Sequence, residues 1–346
     1  MRSLVPDSRN EQAQRADFAG AILSVAGLGL VVWAITEAPA NGWSSARVLL
    51  SGTIGLLMVA SFVWWEHRST HPMLHLGFFR DRAFSGAVGS VGFVMFGLFG
   101  ALFVLTQYLQ FALGYTPLEA GVRALPAAGA IAVVAPMAAQ LVARAGTRIT
   151  ITIALCVISG GLWLLSRTAT GSTYGDVVLG MVLLGVGAGL AIPSATASVM
   201  GSLPQRHTGV GGGTNGTFIQ VGGALGVAVI GSLLITRYQD KLTGVVPGTM
   251  PATVRDNVLG SIGGAQEVAV HLGGPAGQAL SQAARSAFID GMRIGLATAA
   301  VVALVAAVIA LVALPPRSRA GSRGSSNEIA KEGGFDAGSH YYPHVA

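Results

Sequence analysis

Eight apolar stretches, each about as long as a membrane-spanning helix, dominate this 346-residue sequence. A helix needs about 20 mainly apolar residues to cross the roughly 30 Å hydrocarbon core of a bilayer. Only 10% of the residues are charged, against about 25% in soluble domains. The sequence therefore predicts an all-α integral membrane protein with about eight transmembrane helices. The predicted spans cover approximately residues 18–36, 46–65, 85–111, 118–142, 149–167, 176–200, 211–236 and 288–314.

Glycine is unusually frequent in these stretches. The sequence contains 49 glycines, many of them inside the apolar runs, as in GMVLLGVGAGL and QVGGALGVAVIG. In water so many glycines would weaken a helix, whereas in lipid small residues three or four positions apart let helix backbones approach closely. We therefore expect close helix packing where such runs meet.

The distribution of basic residues predicts the orientation. Arginine and lysine occur in the N-terminal segment, in residues 66–84, in ARAGTR, in LPQRHTG and in the tail after residue 316. These segments alternate along the chain so that all five lie on one side, and loops rich in Lys and Arg face the cytoplasm. The loops EAPANGWS and LGYTP on the other side contain neither residue. Both termini are therefore predicted to be cytoplasmic.

Three segments do not follow the membrane pattern. Residues 66–84 form a connector with its own apolar side, which predicts a short helix lying at the membrane interface. Residues 238–285, punctuated by Gly and Pro, are predicted to be an outer loop with one or two short helices. The tail over 315–346 is rich in Ser, Gly and Arg, a composition typical of disorder.

The stretch YTPLEAGVRALP predicts a tight hairpin between two spans. Thr116 is a candidate N-cap, Pro117 occupies the first helical position and Glu119 follows the cap by three residues, which is a capping box. Arg123 lies four residues after Glu119, so the two side chains can pair. Arg123 is either such a paired arginine reaching toward the interface or a cavity-facing arginine near a substrate path.

Several function classes lack support in the sequence. The formal net charge of +6 is scattered between apolar runs, without a patch typical of nucleic-acid binding. His71 and His75 have no nearby carboxylate or cysteine to complete a metal site, and GVGGGTNGT lacks the Lys-Ser/Thr ending of a phosphate-binding loop. We therefore expect no enzyme activity, no cofactor, no metal and no nucleic-acid partner.

The order of several motifs resembles a known transporter family. LTQYLQFALGYTPLEAGVRALP, followed by AAQLVARAGTR, is similar to the second half of the major facilitator superfamily, in the fourteen-helix branch of drug:proton antiporters. RADFAGAILSVAGLGLVVWAITEAPANGWSS resembles the extra helix pair that this branch inserts between its two six-helix halves. GGGTNGTFIQVGGALGVAVIGSLL resembles the penultimate helix.

The resemblance implies a domain organisation. Residues 1–16 correspond to a cytoplasmic linker, 17–65 to the two-helix insert, 66–84 to the connector and 85–314 to the C-terminal six-helix bundle. Six further helices precede the insert in the family, so the chain corresponds to a C-terminal portion whose N-terminal half is missing.

The resemblance also implies a function in the plasma membrane: multidrug efflux of cationic or amphipathic small molecules by proton antiport. The alternative is a partner-dependent or non-transporting half-transporter. Arg144, Gly146 and Arg148 match a degenerate copy of the family's cytoplasmic loop motif, which acts in conformational change. Acidic residues lie at span ends or in loops and tails, and Asp290 lies nearest to a span interior, where an interfacial role beside Arg293 is expected. A proton site is therefore expected in the missing half.

Amide side chains within the spans are the candidate substrate-binding groups. Gln107 and Gln110 share a helix face near the outer end of the third span, and Asn215 and Gln220 lie on the seventh. In one interpretation these amides and Arg123 line a drug-accepting cavity, to which Phe96, Phe103 and Phe218 add contact area. In the other, the amides form hydrogen bonds between helices. The sequence leaves both possibilities open.

Overall fold

The computed structural model describes residues 17–69, 76–203, 208–246 and 250–315. The predicted linker over 1–16, residues 70–75 of the connector and the tail from 316 lie outside the described residues. All regular structure in the described residues is helical. The α-helices are α1 Phe18–Asn41, α2 Ala46–Arg68, α3 Arg82–Gln107, α4 Pro117–Ala145, α5 Thr147–Ser166, α6 Tyr174–Gly201, α7 Thr208–Thr243, α8 Ala252–Gly260, α9 Ile262–Leu272 and α10 Gly274–Ala313.

Eight of the described helices, α1 to α7 and α10, are long and apolar enough to cross a membrane. This confirms the predicted all-α membrane fold. A 3₁₀ turn, Leu76–Arg80, leads into α3, and a π-helical turn, Tyr108–Ala112, ends it. The described part of the connector therefore contains a short helical turn.

Two spanning helices are longer than the apolar pattern predicts. α7 continues to Thr243 and α10 begins at Gly274, whereas the predicted spans end at 236 and begin at 288. At 1.5 Å per residue, the 40-residue α10 is about 60 Å long, twice the thickness of the hydrocarbon core. These extensions pack with α8 and α9, the two short helices of the predicted outer loop, into a cap beyond the membrane.

The spanning helices fall into a pair and a bundle of six. Within the bundle, α3 packs on α7, α4 on α6, and α5 on both α6 and α10 around one hydrophobic core. The helices α1 and α2 pack on each other, with a small separate core of Ala34, Ala38 and Val48. The pair meets the bundle where α1 contacts α7.

The junction between α4 and α5 is a single residue. Gly146 ends α4 through a hydrogen bond from its N–H to the Val142 carbonyl at 2.8 Å. Its φ of 87° with ψ of 159° belongs to a region that only glycine adopts readily. The side of the bundle at this junction is called the Gly146 end below.

The opposite side of the bundle holds the predicted hairpin and is called the Tyr115 end. The Thr116 hydroxyl accepts a hydrogen bond from the Glu119 N–H at 3.3 Å, and the Glu119 carboxylate accepts one from the Thr116 N–H at 2.9 Å. This confirms the capping box. The Tyr108 hydroxyl donates to the Ser172 carbonyl at 3.2 Å, tying the end of α3 to the loop between α5 and α6.

Glycine produces a very close helix crossing between α3 and α7. A Cβ atom added at Gly226 would lie 2.8 Å from the carbonyl carbon and the Cα of Phe96, and one at Gly222 would lie 2.9 Å from the same atoms of Gly92. No side chain fits between backbones this close. The expected close packing of the QVGGALGVAVIG run is confirmed.

Candidate functional site

Three neighbouring clefts run along the contact between the helix pair and α7. The largest, about 690 Å³, lies toward the Tyr115 end, a second of about 330 Å³ lies at mid-depth, and a third of about 590 Å³ lies toward the Gly146 end. The first and second share Val32 and Ala224, and the second and third share Leu28 and Val221. They therefore form one continuous depression, the seam groove.

The walls of the seam groove are mainly apolar and aromatic, and none of the described residues that line it is charged. Phe99, Phe103 and Phe288 border the largest cleft, and Phe62, Phe79 and Phe218 border the one at the Gly146 end. Clefts of 300–1,000 Å³ with apolar walls and a few polar groups are typical of small-molecule sites. The groove is suited to an amphipathic organic molecule.

Two of the candidate amides lie in this groove. Gln107, part-exposed near the end of α3, lines the largest cleft, and Gln220, exposed on α7, lines the middle one. Each offers a donor and an acceptor in a mainly apolar wall. Of the aromatic residues named from the sequence, Phe103 and Phe218 line the groove and Phe96 does not.

The other candidate amides lie elsewhere. Asn215 is buried where α7 meets α6, and its Nδ2 donates to the Thr196 hydroxyl at 3.4 Å. This is the geometry of a hydrogen bond between helices. Gln110 is half-buried in the π-helical turn and lines none of the three clefts.

Arg123 is held by aromatic rings at the Tyr115 end. Its guanidinium lies 3.7 Å from the ring centre of Tyr115 and 5.9 Å from that of Tyr174. It donates to the backbone carbonyl of Glu119 at 3.4 Å, while the Glu119 carboxylate caps α4 through Thr116. The Tyr174 hydroxyl donates to the Arg123 carbonyl at 3.0 Å. Arg123 thus joins α4 to α6 and lines none of the three clefts.

The residues of the loop motif surround the junction at the Gly146 end. Arg144 is exposed in the last turn of α4, and Arg148 is part-exposed in the first turn of α5. Gly146 makes the turn between them, and its carbonyl accepts a hydrogen bond from the Thr150 hydroxyl at 2.9 Å. The two arginines of the motif therefore lie on either side of the turn at Gly146.

Several acidic residues at helix ends have structural partners. The carboxylates of Asp17 and Asp81 accept hydrogen bonds from N–H groups in the first turns of α1 and α3, and the carboxylate of Asp176 accepts one from the N–H of Thr173, which caps α6. Asp290 pairs with Lys241 at 2.9 Å, so the expected partner Arg293 is replaced by a lysine of the extended α7. No group of three or more metal-binding side chains occurs within the described ranges.

The sequence did not identify α1 as a wall of the site. Leu28, Val32 and Thr36 line the groove, yet they lie in a uniformly apolar run. The only available signal was the resemblance of residues 17–65 to an inserted helix pair, which does not specify the helix against which the pair packs.

Comparison with known proteins identifies the family. The model for the Major Facilitator Superfamily matches residues 13–227. The multidrug resistance protein Stp of Mycobacterium tuberculosis is 33% identical over 75% of this chain and 48% of its own length. The tetracenomycin C resistance and export protein of Streptomyces glaucescens is 32% identical over 87% of this chain and 57% of its own length.

A third relative, the multidrug efflux pump LfrA of Mycolicibacterium smegmatis, is 28% identical over 87% of this chain and 58% of its own length. The chain thus spans about half the length of these relatives. The family model covers more than half of the chain, and the tetracenomycin relative covers most of it. The chain belongs to the major facilitator superfamily.

Proposed function

We propose that the chain is the C-terminal portion of a fourteen-helix multidrug transporter, which exports amphipathic or cationic small molecules from the cell by proton antiport. The relatives named for multidrug resistance and for tetracenomycin C export support this substrate class. The Gly146 end, with the basic loop motif, would face the cytoplasm, and the cap of α8 and α9 would lie outside the plasma membrane.

The observation that carries the proposal is the seam groove. Its volume fits a drug-sized molecule, its aromatic walls supply contact area, and Gln107 and Gln220 supply polar contacts at two depths. Because none of the described residues that line the groove is acidic, the groove binds the apolar part of a substrate. A carboxylate that neutralises a cationic substrate or carries the proton would come from an N-terminal six-helix half.

A second candidate function is that of a partner-dependent or non-transporting half. The apolar side of α4 favours it, because large side chains along this helix are exposed and suit either lipid or a second helical half. The exposed residues are Leu118, Val122, Leu125, Val133 and Met137.

Binding of a fluorescent lipophilic cation, such as ethidium, to the purified chain in lipid nanodiscs tests the groove. Gln107→Ala and Gln220→Ala each remove one hydrogen bond to the dye. Because such a bond contributes about 1 kcal/mol, each variant is expected to bind the dye roughly five-fold more weakly. Gln278→Ala removes an exposed amide of α10 outside the groove and is the matched control. Equal affinity in all four proteins would remove the groove from the proposal.

Transport by the chain alone separates the two functions. Proteoliposomes that contain only this chain are given a proton gradient and the same dye. Proton-dependent movement of the dye would show that no second half is required and would contradict our placement of the proton site. If the dye binds but is not transported across the membrane, the result supports a C-terminal portion that needs a partner for transport.

A further inference from the structure

A second, chemically different cleft of about 520 Å³ lies among α5, α7 and α10, near the Tyr115 end. Its polar lining is dominated by arginine: Arg167 follows α5, Arg237 lies on α7 and Arg293 lies on α10. Three separate helical segments thus bring guanidinium groups to one place. The remaining lining residues are Trp163, Ser166, Asp290, Ile294 and Ala297.

The positive charge of this arginine cleft is not balanced by its own residues. Among the described lining residues the one carboxylate, that of Asp290, pairs with Lys241 at 2.9 Å. The three arginines therefore retain an excess of positive charge. The Nε atom of Arg237 is buried, and none of the described residues accepts a hydrogen bond from it. A buried donor of this kind favours an external acceptor.

The cleft lies at the depth of lipid headgroups. α5 has 20 residues and is about 30 Å long, which matches the hydrocarbon core, so Arg167 directly after it lies at the boundary between hydrocarbon and headgroups. Trp163, 53% exposed, lies one turn deeper, where interfacial tryptophan is common.

An apolar surface extends from the cleft toward the membrane centre. Ile294, Val301, Val305, Val308 and Val312 are exposed and recur every three, four or seven residues along α10. This spacing places them on one side of the helix. An acyl chain can lie along this side while its headgroup occupies the cleft.

We infer that the arginine cleft binds the phosphate headgroup of an anionic membrane phospholipid. Guanidinium groups bind phosphate oxygens through paired hydrogen bonds, and three of them favour a lipid with net negative charge over one whose headgroup also carries an ammonium. The apolar side of α10 selects a lipid rather than a soluble phosphate. This inference is independent of the transported substrate.

Native mass spectrometry of the purified chain with phosphatidylglycerol or phosphatidylcholine tests this inference. We expect tighter retention of phosphatidylglycerol, weakened at least ten-fold by Arg237→Gln with Arg293→Gln. Arg255→Gln with Arg285→Gln removes the same two charges outside the cleft and is expected to change retention less than two-fold. If the double variant does not fold, Arg293→Gln alone changes an exposed side chain and gives the same comparison.

Competition distinguishes a lipid from a soluble anion. A hundred-fold excess of glycerol 1-phosphate or inorganic phosphate is expected to leave phosphatidylglycerol bound, because neither has acyl chains. Displacement by either compound, equal retention of the two lipids, or equal weakening by both pairs of substitutions would overturn the inference.

Discussion

The crossing of α3 and α7 gives a sharp test of the packing, through the substitution Gly226→Ala. The added Cβ would lie 2.8 Å from the Phe96 carbonyl carbon and Cα, whereas non-bonded carbon atoms are usually about 3.5–4.0 Å apart. The nearest obstacle is backbone, so no side-chain rotation relieves the overlap. The two helices must separate by about 1 Å or bend.

The expected cost follows from the opposing effects of the added methyl group. Overpacking a tight interface costs about 1–3 kcal/mol, and alanine recovers up to about 1 kcal/mol through its better helix propensity. We therefore expect Gly226→Ala to destabilise the protein by about 1–2 kcal/mol. Adding Gly222→Ala, whose Cβ would contact the backbone of Gly92, is expected to destabilise the protein further.

Unfolding in increasing concentrations of denaturing detergent, followed by tryptophan fluorescence, measures this effect. Gly216→Ala is the matched control, because a Cβ there has no atom within 4 Å and lies on the same helix. The control is expected to be as stable as the parent protein or slightly more stable. If Gly226→Ala were equally stable, the two backbones would not be in the contact described.

Two further substitutions test the ends of the bundle by the same titration. Gly146→Ala places a side chain at φ 87° and ψ 159°, which is expected to lower the free energy of unfolding by about 1–3 kcal/mol. A decrease below roughly 0.5 kcal/mol, comparable to measurement error, would argue against a single-residue junction. Tyr238→Phe removes the donor to the Val258 carbonyl at 2.9 Å, which predicts a loss of about 1–2 kcal/mol and faster proteolysis in α8. Unchanged cleavage would show that this hydroxyl does not anchor the cap.

Local chemistry explains which features could be predicted from the sequence. A span is identified by its own hydropathy, and a capping box needs only the order of Thr116, Pro117 and Glu119. Both depend on neighbouring residues, so no knowledge of tertiary structure is required. The close approach at Gly226 is similar, because a helix with glycine four positions apart presents a flat surface to any partner.

Features that depend on distant partners could not be predicted. The extensions of α7 and α10 leave the membrane, where hydropathy no longer marks a helix, and Tyr238 stabilises them through a carbonyl 20 residues away. The pairing of Asp290 with Lys241 depends on the same extension. The sequence gives no reason to prefer Gln107 over Gln110 as a groove residue, because both are amides on one predicted helix face. Only Gln107 lines the groove, because Gln110 lies in the π-helical turn and α1 packs on the side of Gln107.

The two clefts divide the chemistry of the chain in a way that bears on its mechanism. The seam groove is uncharged, while the arginine cleft on another side of the bundle concentrates positive charge at headgroup depth. A cationic substrate would be repelled by the arginine cleft and would meet no carboxylate among the described residues of the groove. In the transporter proposed above, selection of a cation would therefore require an acid supplied by another helical half, the same group that proton antiport would require. Binding of the apolar body and recognition of charge would then reside in different halves of the transporter.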